Sequence, residues 1–556
     1  VEAQLIRLRL HLEEGEIAAA RQCAAAVAAA IGAAPEEVES TAAAQFWLPH
    51  LYLRWRQALG AVERAAGNRA LALSHWRVAI TLLETQRSTL TIEELRTAFL
   101  EDKTALYSDL VTGLLEEPGP DAVAAAFAVV ERARARTLLE RLLTTGSSPG
   151  EEPDATLATR RAELQQRLHW LYNQMLGEAG NRRADAGRNE EVRECEAALQ
   201  RLEWQTAPPL AEAHPVDLAA LQQTLAADQQ ALVYYVAGAE VLAFVVGRQS
   251  TQLFRHLCTV DRLEEALATW RFQLERAEMG EQLYGRHAER YQRAWQAALL
   301  RLYQLVIAPL APALQTPRLL VIPFGSLHQL PFHALWDGES VLLERFEWTY
   351  APSASIAVHT LLQRQPEQRW RSLAGLALTD AAIPAAQEEV KAAAGAFAHA
   401  HLYLDDQASL AGLQNAATVA DVLHIATHGR FRPDNPFFSM LKLADGWVDV
   451  RSLYRLQLAA RLVVLSACES GAGRVRGGDE VIGVARGFLA AGARSVIASL
   501  WNVHDASTAA LMARFYACLT GSVPPLRPAA ALRAAQLHAA SERRHPFYWA
   551  SFLAIG

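Results

Sequence analysis

Two residues at the ends of apolar runs carry the chemistry this sequence can offer. In DVLHIATHGRF the apolar run ends at His428, followed by Gly429, and in RLVVLSACESGAG it ends at Cys468, 40 residues further on. A thiol attacks as the thiolate, and at neutral pH that requires a nearby base, usually an imidazole. Taken alone, Cys468 reads as a small buried hydrophobe and His428 as a hydrogen-bonded core histidine. Their joint placement, each followed by small or polar residues, points instead to a nucleophile and its acid/base. A developing oxyanion needs backbone N–H donors, and Gly429 and the amide of Cys468 are natural ones. Such chemistry needs no metal or cofactor. His424 lies four residues before His428, on the same face by alternation, and reads as a buried structural histidine.

These residues must be held by a sheet. Short runs rich in Val, Ile, Leu and Ala that end in small or polar residues are how buried parallel strands look. They are expected at about 372–378, 399–404, 421–427, at the run ending in Cys468, and at 495–500. Helices alternate with them, near 385–396, 479–491, 506–519 and 527–541. This alternation predicts an open α/β sheet, mostly parallel and covered on both faces, with its ligand site beyond the carboxyl ends of the strands. QQALVYYVAGAEVLAFVVGR (229–248) predicts a hairpin turning at Gly238, and Asp445-Gly446 a second turn between 437 and 450. Helices of about 260–278 and 284–308 lie between the first hairpin and a strand beginning PRLLVIPFGSLHQLPFHAL.

Residues 1 to about 145 have helical periodicity throughout. GEIAAARQCAAAVAAAIG from Gly15 and GNRALALSHWRVAITLLE from Gly67 look alike, and DAVAAAFAVVERARARTLLERLL from Asp121 is a third such segment. Stacked helical hairpins of tetratricopeptide type explain this self-similarity, although the first two begin 52 residues apart, more than the usual spacing of about 34. An irregular helical bundle is the other reading. TTGSSPGEEPD breaks the pattern. Two polar amphipathic helices, about 156–178 and 188–205, then predict a protruding antiparallel hairpin. The expected division is 1–145 helical repeats, 146–207 linker and helical hairpin, and 208–556 the α/β domain.

Composition narrows the function. The net charge of −7 argues against a nucleic-acid surface as the main function. No apolar run reaches the roughly 18–20 residues that span a bilayer. The five cysteines are far apart and show no ligand spacing, so a reducing compartment, the cytoplasm, is expected. The chain opens VEAQLIRLRLHLEEGE, an amphipathic helix without an initiator Met, as a fragment of a longer protein would.

The order His-Gly then Ala-Cys follows the logic of caspase-type peptidases. More closely, HIATHG, VVLSACESGAG, GGDEVIGVARGFLAAGARSVIASLWNVHD, HPFYWASF and LVIPFGSLHQLPFHAL resemble the CHAT family of caspase-like domains found with tetratricopeptide repeats. The resemblance runs from about Gln229 to the end. It implies a caspase-like fold and a cysteine endopeptidase with Cys468 as nucleophile and His428 as acid/base. It also implies a protein substrate and activation by a partner or ligand sensed by the repeats. In caspases and metacaspases the residues two before the histidine and two before the cysteine help line the primary pocket; here these are Ala426 and Ser466, and neither is charged. Separases, which the region also resembles, carry an Asp after Leu-Trp that reads a basic residue before the cut. LWNVHD places Asp505 there, against the strong competing reading that it is the N-cap of the next helix. Asp479 and Glu480 read as helix-start residues, and Arg474 and Arg476 as a solvated loop, with a self-cleavage site as the other reading. The rival function is a catalytically silent scaffold that uses repeats and domain for protein–protein binding.

Overall fold

The computed structural model describes residues 1–33, 49–90, 96, 99, 103–117, 119–134, 136–145, 155–177, 190–199, 201–202, 214–279, 288–362, 369–381, 383–430, 432, 436–468, 483–501, 505–542 and 545–556. The first part is helical: α1 (Glu2–Glu13), α2 (Ile17–Ile31), α3 (Pro49–Ala65), α4 (Arg69–Thr89), α5 (Thr104–Leu114), α6 (Pro120–Arg132) and α7 (Arg136–Thr145). α1 packs on α2, α3 on α4 and α5 on α6, so successive hairpins stack as the self-similarity predicts. Gly15 and Gly67 each take a positive φ, 78° and 81°, in the turn before the second helix of a hairpin. Close approach is set by Trp76 of α4, fully buried between two glycines. A Cβ on Gly60 would lie 2.2 Å from its Nε1, and one on Gly113 would lie 2.6 Å from its Cζ3. The segment from Asp121, one helix by its periodicity, breaks between α6 and α7.

Thirteen strands form one sheet: β1 (Gln229–Ala237), β2 (Glu240–Val246), β3 (Thr251–Thr259), β4 (Arg318–Ile322), β5 (Glu347–Tyr350), β6 (Ser372–Ala377), β7 (His399–Leu404), β8 (Val422–Arg430), β9 (Met440–Leu443), β10 (Gly446–Asp449), β11 (Leu462–Cys468), β12 (Ser495–Ser499) and β13 (Phe552–Ile555). Its spine runs β7-β6-β8-β11-β12-β13-β5-β4-β1-β2-β3, and the β9/β10 hairpin extends β8 beyond the end of β6. Seven of the twelve strand pairings among the described residues are parallel and five antiparallel. The sheet is therefore mixed, with parallel strands at the centre of each half. β13 joins the halves, running antiparallel to β12 and meeting β5 through the single pair Ile555 and Tyr350. Periodicity missed β3, a half-exposed edge, and the short β5.

Alternation along β8 and β11 divides their side chains between two cores. Leu423, Ile425, Val463 and Leu465 face one layer, which includes α8 (Val260–Glu278), α9 (Ala288–Val306), α10 (Leu410–Val419) and α11 (Gly483–Ala490). Val422, Leu462 and Val464 face α12 (Asp505–Gly521) and α13 (Pro528–Glu542). In the other half, the faces of β1 and β2 carrying Val233, Tyr235 and Phe244 pack against α4, α5 and α6. The repeats are thus part of the sheet's own core. Arg134 Nη1 donates to the carbonyl of Pro323 at 3.2 Å, and buried Glu131 accepts from the N–H and hydroxyl of Ser355, each at 3.0 Å.

The helical pair expected to protrude is docked instead. Leu164, Leu168 and Leu171 of the helix Ala155–Gly177, with Val192, Cys195 and Leu199, pack on Phe438, Met440 and Trp447 of the β9/β10 hairpin. Arg432 Nη1 donates to Glu196 Oε1 at 2.9 Å across the same contact.

Candidate active site

β8 and β11 are central, and the first four residues of each are buried. Leu462 pairs with Val422 and the ladder continues in step to Cys468 opposite His428. Partners in a parallel ladder share a face, and neighbouring strands lie about 4.8 Å apart. The two residues selected by sequence therefore meet at the carboxyl edge of the sheet, on the face of His424 and Ser466. The backbone of Cys468 is described; its side chain lies outside the described residues.

His428 has a partner that the sequence reading missed. Its Nε2 lies 2.7 Å from Asp380 Oδ2, with the two side chains 24% and 36% exposed. Asp380 follows β6, which pairs with β8 up to Ala377 opposite Ala426. Its other oxygen, Oδ1, accepts from the Ile383 N–H at 3.3 Å, and Lys442 Nζ approaches Oδ2 at 3.4 Å. A signal existed in LALTD, where an acid sits just past a predicted strand at the edge reserved for ligands. Gly429 stands in the antiparallel ladder opposite Leu441.

Beneath the pair runs a buried polar chain. His424, fully buried, has Nδ1 2.8 Å from the Tyr516 hydroxyl and Nε2 3.1 Å from Glu389 Oε1, while Ser466 Oγ donates to Glu389 Oε2 at 3.0 Å. Because the carboxylate only accepts, Nε2 carries the proton and Nδ1 accepts from Tyr516. Burial first, and then the Glu389 charge, push the Tyr516 hydroxyl well above the ordinary phenol range, so it remains a donor. His424 is structural, as expected. Glu389 lies in the helix Ala386–Ala394, and nothing local marks it as polar core.

The residues expected to line a primary pocket are engaged elsewhere in this conformation. Ala426 is 1% exposed and packs with Ala377, Ala386 and Val390, and Ser466 is tied to Glu389. Asp505 is the first residue of α12, and its side chain lies outside the described residues, as do Arg474, Arg476, Asp479 and Glu480. The histidines of the two remaining motifs sit far from Cys468 in the chain and serve the core. His333 is buried at the β5–β13 join, 3.2 Å from the Tyr350 hydroxyl and 3.1 Å from the Ala550 carbonyl, and burial pushes it down to about 3. His545 accepts from the Phe547 N–H at 3.1 Å and is pushed by burial down to about 4. His11, Glu14 and Glu16 form the one group among the described residues whose ligand atoms cluster as a metal site would, and it lies on the surface of the first hairpin.

Histidine and cysteine in register at the carboxyl edge of adjacent parallel strands, within a helix-flanked sheet, define a caspase-like α/β domain behind a helical region. Residues 296–556 match the family model for the CHAT domain, and the chain carries that domain. Tetratricopeptide repeat protein 28 of Homo sapiens is 27% identical over 326 residues, and that of Mus musculus 26% over 325. Each alignment covers 46% of this chain, which spans only 13% of the length of those relatives. Among solved structures, the Saccharomyces cerevisiae separase–securin complex matches with a TM-score of 0.52 at 10% identity, over 88% of this chain and 37% of that one. That likeness is one of fold, and its span takes in the helical part as well as the sheet. Among the described residues no helix is long and apolar enough to cross a membrane.

Proposed function

We propose that this protein is a cysteine endopeptidase of the caspase-like clan, controlled by a protein partner bound to its helical repeats. The observation that carries the reading is the register that sets Cys468 opposite His428. His428 takes the thiol proton and the thiolate attacks the scissile carbonyl carbon. The N–H groups of Gly429 and Cys468 hold the oxyanion. His428 then gives the proton to the leaving amine as the C–N bond breaks, leaving a thioester. Water, deprotonated by His428, attacks that thioester, releasing the carboxylic acid product and the thiol. In this reading residues 1–145 sense the partner, 146–207 connect, and 208–556 form the peptidase domain. Free thiols at Cys23, Cys195, Cys258 and Cys518 accord with a reducing, cytoplasmic setting.

Two features support control. Ala426 is buried and Ser466 is tied to Glu389, so a substrate side chain that is to pass between them must displace these contacts. The helical part also reaches the far side of the site. α7 packs on α11, which follows the segment after Cys468. There the Arg141 guanidinium lies 4.9 Å from the Tyr454 ring centroid, and Arg486 Nε donates to the Tyr454 hydroxyl at 3.2 Å.

The test is to express the full chain, wild type and Cys468→Ala, with the products of neighbouring genes and to map new termini by mass spectrometry. Fragments formed by the wild type alone establish the peptidase. A basic residue before the cut supports Asp505 as the pocket acid, and any other residue removes that role. No fragments, together with co-purification of one partner by both forms, give the site to the adaptor reading.

A further inference from the structure

We propose that Asp380 is a positioning residue for the reaction, fixing His428 so that Nδ1 is the nitrogen that serves the Cys468 thiol. The proposal rests on the peptidase reading of the same site. Three neighbouring parallel strands, β6, β8 and β11, each deliver one residue to the carboxyl edge in chain order: Asp380, His428 and Cys468. β8 lies between the other two, so the strands that carry the acid and the cysteine flank the strand of His428 on opposite sides. The 2.7 Å contact takes up Nε2. A carboxylate has no proton to give, so Nε2 carries the hydrogen and the neutral ring keeps its lone pair on Nδ1. Without that contact both tautomers are open, and the one protonated on Nδ1 cannot accept the thiol proton there.

Asp380 is itself held in place. Oδ1 accepts from the Ile383 N–H, which fixes the carboxylate plane, and the Lys442 ammonium balances its charge from β9. A carboxylate meant to read a substrate cation would be left open to it; here both oxygens are already engaged. The bond is partly exposed, so it acts by orientation, and misplacing a catalytic group by about 1 Å costs on the order of 10²-fold in rate.

The test compares full-length wild type with Asp380→Asn, Asp380→Glu and His428→Gln, the last assigning the signal of His428. Nitrogen-15 spectra of labelled histidine are expected to show the neutral His428 ring protonated on Nε2 in the wild type and in Asp380→Glu. In Asp380→Asn, whose amide can donate, a population protonated on Nδ1 is expected. Iodoacetamide alkylation of Cys468, followed by peptide mass spectrometry, is expected to slow roughly tenfold or more in Asp380→Asn and to recover in Asp380→Glu. On a cleaved peptide, kcat is expected to fall about 10²-fold with KM unchanged. An unchanged tautomer and alkylation rate in Asp380→Asn overturn the proposal. So does a rise in KM confined to substrates with a basic residue, which makes Asp380 a recognition group. The tautomer and alkylation measurements need no substrate. If the wild type cleaves nothing, the peptidase reading fails while they still decide whether Asp380 orients His428.

Discussion

Glu389→Ala should loosen the floor of the site more than any part of the repeats. The carboxylate holds the two strands that bear His428 and Cys468, through His424 on β8 at 3.1 Å and Ser466 on β11 at 3.0 Å. Glu389 is 2% exposed and His424 0%, so water does not replace what is removed. Each hydrogen bond to a charged group contributes about 1.5–3 kcal/mol, and breaking a buried pair costs about 3–5 kcal/mol because one partner is left uncompensated. An opening free energy lowered by that much corresponds to amide exchange roughly 10²- to 10³-fold faster in β8 and β11, at about 1.4 kcal/mol per tenfold. Glu389→Gln keeps an acceptor for His424 and a donor for the Ser466 oxygen, so about 1–1.5 kcal/mol is expected there. The assay is native-state hydrogen exchange read by mass spectrometry, strand by strand. Acceleration below threefold in β8 and β11 for the alanine variant, or the same acceleration in α1–α4, would refute the reasoning.

His333 predicts a pH effect at the β5–β13 join. Its folded value of about 3 lies below the ordinary value near 6.5, so the unfolded chain binds the proton first as pH falls. The stability of neutral His333 is complete above about pH 6.5 and drains away from there down to about pH 3, reaching about 2 kcal/mol lost at pH 5. Thermal unfolding against pH should fall less steeply across that window in His333→Gln, and an unchanged slope counts against the assignment. Gly60→Ala should force α3 from α4, since the new Cβ would lie 2.2 Å from Trp76 Nε1. A loss of about 1–3 kcal/mol is expected in thermal or urea unfolding, against little change for Gly521→Ala, where nothing lies within 4 Å of the added Cβ.

Much of the fold was legible because its signals are local. Apolar runs placed β6, β7, β8, β11 and β12 within a residue or two at most ends, and β8 overran its predicted end to reach Arg430. Gly238 and Gly446 carry the positive φ that marked both turns. The stretches with weak local signals were misjudged. β3 alternates poorly because it is an edge, and β5 is four residues long. The pair of polar helices looked solvated on all but one narrow stripe, and that stripe of Leu164, Leu168 and Leu171 finds its partner on β9 and β10, more than 260 residues away.

By itself, the sequence determined on which strands His428 and Cys468 stand. His428 and Cys468 each close an apolar run. Tertiary structure alone decided what surrounds them. Asp380 reaches His428 because β6 is laid beside β8, and Glu389 joins His424 to Ser466 because its helix covers that face of the sheet. Alternation reports whether a side chain is buried, which depends on its own strand. Which group it meets depends on the order of strands across the sheet, and no short stretch of chain encodes that order.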